Sequence, residues 1–244
     1  MNKDVPFNPL EGEKPEITFK LNDNTDELVT IVIVHKDRPE FLNIALQTVS
    51  VCSTNNNIEI IVVDNNSGKE SQAFLDDIQN QVKVIRNDKN LFWSGACNKG
   101  YEAASKSSKY IIFMHQDVAI TNFNWIDLMI NVSESSNAGI VGVDTQSYMI
   151  GSQKIDFIQD YLIMFTRECF EDIGKWPEEL PVVGGSFLIT LKAQQKSWKP
   201  QVLKTAIACH YKIFGIDVSE YERHLEQAMT VMPRMISENN SRVV

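Results

Sequence analysis

The amino-acid sequence predicts an α/β fold: a mostly parallel sheet with helices on both faces, followed by an irregular second half. Three observations predict it. Apolar, β-branched runs of strand length alternate with helically periodic segments from Leu28 to Asp117, the rhythm of parallel strands joined by right-handed crossovers. The runs are apolar without polar alternation, as in strands covered on both faces. Polar residues punctuate the carboxyl ends of these elements, at Asp37, Asp64, Asn90 and Asp117, where open parallel sheets receive their ligands.

Each element has a local reason. The stretch up to Glu27 is polar, carries Pro6, Pro9 and Pro15, and reads as an arm with a short edge strand at Glu16–Leu21. The run from Leu28 to Val34 is the first buried strand. Pro39 suits the first turn of a helix, and Phe41, Leu42, Ala45, Leu46 and Val49 recur at helical spacing. Ile58–Val63 is the second strand and runs into Asp64-Asn65-Asn66-Ser67-Gly68, a strong turn signal. A helix over Glu70–Gln79, a strand at Val82–Arg86, a small-residue helix over Ser94–Ser105 and a strand at Tyr110–Met114 complete the regular part. The second half predicts helices at Trp125–Glu134, Arg167–Ile173, Phe187–Lys196 and Ser219–Met232. It predicts strands at Gly139–Val143, Tyr161–Phe165 and Gln201–Ala208. With no internal repeat or low-complexity linker, residues 28–244 read as one domain behind an arm of residues 1–27.

Composition excludes several functions. The net charge of −9 and pI of about 5.0 disfavour binding to phosphate backbones, so no nucleic-acid partner is expected. No apolar stretch is long enough to span a bilayer. The opening residues Met1–Pro6 lack a signal peptide's apolar region, which makes the cytoplasm the default location. Cys52, Cys97, Cys169 and Cys209 form no close pair of the kind that holds zinc, and read as reduced, mostly buried thiols. Met229, Met232 and Met235 in the C-terminal segment pack on the core or on a second subunit, since Glu220, Glu222 and Glu226 do not suit an anionic membrane.

The strand-end residues are the candidates for chemistry. Asp64 can accept from the N–H of a pyrimidine base, although taken alone Asp-Asn-Asn-Ser-Gly reads first as a helix N-cap or Asx-turn. Asp117, in His115-Gln116-Asp117, can hold a divalent cation on a diphosphate. His115 is either a second ligand or a strand-end residue. Ser94, Gly95 and Ala96 allow a backbone to approach a ligand, or a helix to pack tightly on the sheet. No phosphate-binding P-loop and no Gly-x-Gly-x-x-Gly run occurs, and the missing phosphate loop counts against a nucleotidyltransferase. Trp93, Trp176 and Trp198 can stack on a sugar or fill a core.

Taken in order, Thr30–Val34 with Asp37-Arg38-Pro39-Glu40, Val62–Ser67, Asn90 with Gly95-Ala96 and Asn98-Lys99-Gly100, and Met114–Val118 resemble the family 2-type glycosyltransferases of the Rossmann-like GT-A fold. The resemblance is firm over residues 29–120 and fainter from Phe165 to His210. It implies a first half that binds a nucleoside diphosphate sugar and a second half that faces a glycan or lipid-linked acceptor. Around the nucleotide it implies Val34, Asp37, Asp64, Asn90, Gly95, Asn98, His115 and Gln116; on the acceptor side, Trp93, Gly185 and Ser186. Asp117 and His210 would hold Mn²⁺ or Mg²⁺. Members typically invert at the anomeric carbon, in the synthesis of surface polysaccharides or glycoconjugates. A lipid-linked acceptor would imply peripheral contact with the membrane.

Three departures stand out. His115 occupies the first acid of the family's Asp-x-Asp element, and Phe92 a position where glycine is common. Ser186 falls on the aspartate that serves as general base, Leu188 on a second acid and Lys192 on an arginine. A serine hydroxyl is too weakly basic for that role. Either Glu178 or Glu179 enters the site, or Asp217 or Glu220 acts as base, or the chain binds nucleotide as a catalytically impaired partner protein.

Overall fold

The computed structural model describes residues 27–53, 56–150, 153–212 and 218–240. The expected edge strand at Glu16–Leu21, and the arm apart from Glu27, lie outside them.

In the regular half, β1 (Val29–His35), α1 (Pro39–Cys52), β2 (Ile58–Asp64), α2 (Lys69–Ile78), β3 (Lys83–Arg86), α3 (Phe92–Ala103) and β4 (Tyr110–His115) follow one another as the alternation predicts. Then come β5 (Val118–Ile120), α4 (Trp125–Ser136), β6 (Ile140–Gly142), β7 (Thr145–Ile150), β8 (Gln153–Ile158), β9 (Leu162–Thr166) and α5 (Arg167–Ile173). The order closes with α6 (Gly185–Gln195), β10 (Gln201–Val202), β11 (Ala208–His210) and α7 (Val218–Asn240).

The main sheet has seven strands in the order β10-β6-β9-β4-β1-β2-β3. β4, β1, β2 and β3 run parallel, whereas β9 is antiparallel to both β4 and β6. The period-two pleat explains why these strands carry apolar residues toward both faces. Val29, Ile31 and Ile33 of β1 pack with Leu42, Leu46 and Val49 of α1, while Val32 faces Ala96, Cys97 and Tyr101 on the other side. Tyr110, Ile112 and Met114 of β4 join the first layer, and Ile111 and Phe113 the second. Gly100 is what lets α3 lie so close: a Cβ there would come within 2.2 Å of Val32 Cγ1.

The second half departs from the sequence-based expectation in four places, the first being β5, a strand that was not expected. The single strand expected at Gln201–Ala208 divides between two sheets. Leu203 N donates to Gly142 O and Thr121 N to Ile207 O, so buried Leu203 and Ile207 are anchored to different partners across exposed residues 204–206. The β7–β8 hairpin was not expected; Tyr148 stacks on Phe157 at 4.9 Å, and both meet Phe187 of α6 edge-on. The last helix runs on past Met232, through Pro233, to Asn240. Met232 is buried against α6 and the hairpin, with Met235 packed beside it, whereas Met229 is 69% exposed. Three of the four cysteines are buried and Cys209 is exposed. Among the described residues no helix is long and apolar enough to cross a membrane.

Candidate active site

The strand order reverses at β1: the chain moves outward through β2 and β3, then returns to β4 on β1's other side. Such a switch leaves a crevice at the carboxyl ends of the two central strands. Here β1 ends in His35 and β4 in His115, followed by Gln116 and Asp117. Gln116 closes the seam between them. Its amide donates to Lys36 O (3.0 Å), and its Oε1 accepts from Lys36 N (3.1 Å) and meets His35 Nδ1 at 2.6 Å.

Two backbone pairings bring distant residues to this edge. β5 pairs antiparallel with β11, setting His210 opposite Val118, and Tyr211 N donates to Asp117 O. His210 Nε2 therefore lies 3.4 Å from Asp117 Oδ1. On the other side His115 N donates to Tyr161 O, which sets Asp160 beside the His115 ring. His115 Nδ1 is 3.9 Å from Asp117 Oδ1, and its Nε2 is 3.8 Å from Asp160 Oδ1. One ligand atom each from His115, Asp117 and His210 lies within 4.8 Å of the others.

The rings are held from behind. Tyr161 stacks on His210 with centroids 4.4 Å apart and an interplanar angle of 18°, and Trp93 meets His115 edge-on at 4.3 Å. Burial pushes the His115 imidazole below its ordinary value, against the pull of Asp160 and Asp117. That favours the neutral ring, the form that ligates metals. Burial raises the Asp160 carboxyl, with His115 opposing. Among the described residues His210 Nδ1 is buried with no hydrogen-bond partner.

This cluster opens into a cleft of about 450 Å³. Of the residues singled out from sequence, Val34, Asn90, Trp93, His115, Gln116, Asp117 and His210 line it. Lys36, Asn65, Phe92, Gln146, Gln159, Asp160, Val182, Lys212 and Tyr221 line it as well, none of them anticipated as site residues. Asp160 had no readable signal, because only the antiparallel return into β9 places it there. A wider groove of about 620 Å³ lies at the opposite edge of the sheet. Its Arg167 is committed to Ser105 O, Ser108 O and the Tyr101 hydroxyl.

The remaining expected site residues lie outside the cleft lining. Asp64 is fully buried and accepts from Ser67 N and from Gln72 Nε2 at 2.6 Å, the turn arrangement. Asp37 accepts from Gly68 N at 2.6 Å and pairs with Lys36. Asn98 holds the chain at Trp176 in both directions and donates to Glu178, so that Glu178 is occupied below the cleft. Gly95 and Gly185 serve close packing: a Cβ would meet Leu91 Cβ at 3.0 Å in the first case and Ser94 Oγ at 3.3 Å in the second. Ser186 is buried in α6, and its carbonyl accepts from the Thr190 hydroxyl. Glu179 joins α7 through its backbone carbonyl, Glu220 pairs with Arg223, and Asp217 is outside the described residues. Trp176 is a core residue, and Trp198 donates to Asp172.

A family model described as glycosyl transferase family 2 matches residues 30–193, more than half of the chain. The chain belongs to glycosyl transferase family 2. The solved structures similar to this family member share its GT-A fold. GalNAc-T7 with UDP, GalNAc and Mn²⁺ has a TM-score of 0.65 at 17% identity, over 77% of this chain and 44% of that one. Residues 1–349 of S. aureus TarS, in complex with UDP-GlcNAc, give 0.61 at 13% identity, over 78% and 60%. The mannosyltransferase PcManGT from Pyrobaculum calidifontis, with GDP-Man and Mn²⁺, gives 0.60 at 12% identity, over 71% and 54%. This chain therefore spans less than two thirds of the length of each. No curated protein sequence matches the chain.

Proposed function

We propose that this family 2 member is an inverting glycosyltransferase that moves a sugar from a nucleoside diphosphate sugar to a glycan or lipid-linked acceptor, in surface polysaccharide or glycoconjugate synthesis. The observation that carries the reading is the His115–Asp117–His210 cluster at the sheet's switch point, inside the cleft. Structures of the same fold named with UDP-GlcNAc or with GDP-Man and Mn²⁺ support a nucleotide-sugar donor and a divalent cation.

The donor set fits such a cation. Two imidazoles and one carboxylate suit Mn²⁺ better than Mg²⁺, which prefers oxygen ligands. Burial favours the neutral form of His115, the form that can offer a lone pair to a metal. His115, Asp117 and His210 would hold the ion, which when bound would offset the charge developing on the diphosphate as it leaves. The protein's own part is to prepare the place. Gln116 clamps β1 to β4, Trp93 and Tyr161 fix the two rings, and Asn65, Asn90 and Lys36 line the proposed donor wall. Acceptor recognition falls to the Gln146, Val182 and Tyr221 side of the cleft, contributed by the irregular half. We place the protein in the cytoplasm, peripheral to the membrane where its acceptor is lipid-linked.

A second reading rests on a separate observation. Ser186 and Leu188 are buried in α6 and offer no carboxylate, which suits a nucleotide-binding partner protein that transfers nothing. Release of nucleoside diphosphate from UDP-, GDP- and dTDP-sugars with Mn²⁺ and candidate acceptors separates the two. Turnover that disappears in Asp117→Ala supports the transferase. Nucleotide binding without turnover under any acceptor supports the partner protein.

A further inference from the structure

The His115 ring stands between two carboxylates. Its Nδ1 looks toward Asp117 at 3.9 Å and its Nε2 toward Asp160 at 3.8 Å. The two edges of the ring thus have different tasks. The Asp117 edge is the one that shares a cluster with His210. The Asp160 edge faces a carboxylate held by the chain entering β9, where His115 N donates to Tyr161 O at 2.9 Å. An imidazole can offer a lone pair on one nitrogen only while the other carries the proton, and an acceptor beside that second nitrogen selects the tautomer. In metal sites a carboxylate behind a ligating histidine does this work, and its loss typically weakens metal binding about 10- to 100-fold.

We propose that Asp160 is a positioning residue for the cation site: as the acceptor facing His115 Nε2 at 3.8 Å, it favours the tautomer with the proton on Nε2 and so leaves the Nδ1 lone pair directed to the side shared with Asp117 and His210. The inference rests on the cation reading above and adds to it a cleft residue that acts through His115. Two features of the surroundings agree with the role. Trp93 packs edge-on against His115, so the ring's plane is restrained and the tautomer remains to be set by a polar partner. Tyr161, the neighbour of Asp160, stacks on His210, so one short segment steadies both histidines.

The test is direct Mn²⁺ binding to the full chain without nucleotide, read from the free-ion electron paramagnetic resonance signal. Asp160→Ala is expected to weaken binding by about 10- to 100-fold. Asp160→Asn keeps a carbonyl acceptor at the same place and is expected to recover most of that loss. In a His115→Ala background, adding Asp160→Ala is expected to change affinity by less than about twofold, because the two residues act as one unit. Circular dichroism and metal-free melting of the Asn variant guard against misfolding of the Ala variant. Undiminished affinity in Asp160→Ala, or losses that add in the double variant, would overturn the positioning role and leave the cation site standing. Wild-type protein that binds no Mn²⁺, or binds it equally well as Asp117→Ala, would remove the cation reading itself and the proposal with it.

Discussion

The two halves of the molecule build the same cleft by different means. Residues 29–115 place their polar groups by regular architecture: each parallel strand is pinned on both faces by apolar contacts, and its carboxyl end arrives at the edge of the sheet. Residues 118–212 place theirs by backbone pairing at that edge, His210 through β11 on β5 and Asp160 through Tyr161 O on His115 N. The helix that sequence comparison points to for the base, α6, contributes buried Ser186, Leu188 and Thr190 instead, and serves as packing for the β7–β8 hairpin and α7. The difference teaches that in this chain the second half's residues at the candidate cation site come from short strand ends and their registers, not from a helix face.

That contrast can be broken most sharply at Asp117, where the two halves meet. Asp117→Ala is expected to lower sugar transfer by at least about 10³-fold, since a cation on the leaving diphosphate contributes several kcal/mol. The check is steady-state release of nucleoside diphosphate with saturating Mn²⁺. In the regular half the sensitive quantity is packing. Gly100→Ala drives a methyl to within 2.2 Å of Val32 Cγ1 and is expected to cost about 1–3 kcal/mol in urea denaturation. A cost near zero would mean that α3 can slide on β1.

A smaller effect concerns acid. His35, buried at the end of β1, is held below its ordinary 6.5 chiefly by loss of hydration, with Gln116, Asp64 and Asp37 opposing. A base with a lowered folded pKa takes its proton more readily in the unfolded chain. Its effect on stability is therefore absent above pH 6.5 and grows as pH falls below that value. His35→Gln is expected to flatten this part of the stability–pH profile, and an unchanged slope would assign the acid loss to other groups. The smallest effect is expected at α6. Ser186→Ala should leave transfer within about twofold, because the residue lies outside the cleft lining. A loss like that of Asp117→Ala would return α6 to the site.

How far the sequence could be read follows the same division. The four parallel strands and the second and third helices of the regular half were legible to within one or two residues, and the first helix by its start at Pro39, because each strand carries apolar residues toward both faces. Asp117 and His210 were legible as a pair only through resemblance, since their 3.4 Å approach depends on an antiparallel pairing between three-residue strands. Asp160 was illegible: nothing near it in the sequence marks a site, and its place comes from the chain's entry into β9. The hairpin at Thr145–Ile158 was missed because its order depends on Phe187, almost thirty residues further on, filling the space against Tyr148 and Phe157. The break at residues 203–207 was missed for a similar reason, as Leu203 and Ile207 read alike and bind different sheets.

The measurement closest to the central claim is a thermal-shift titration with UDP, GDP, dTDP and CDP, each with Mn²⁺ and with EDTA, on wild type and Asp117→Ala. A ligand that binds only the native state raises the melting temperature. The account predicts a Mn²⁺-dependent rise with one nucleotide, abolished in Asp117→Ala. A flat response to all four, or a rise that survives both EDTA and the substitution, would contradict it.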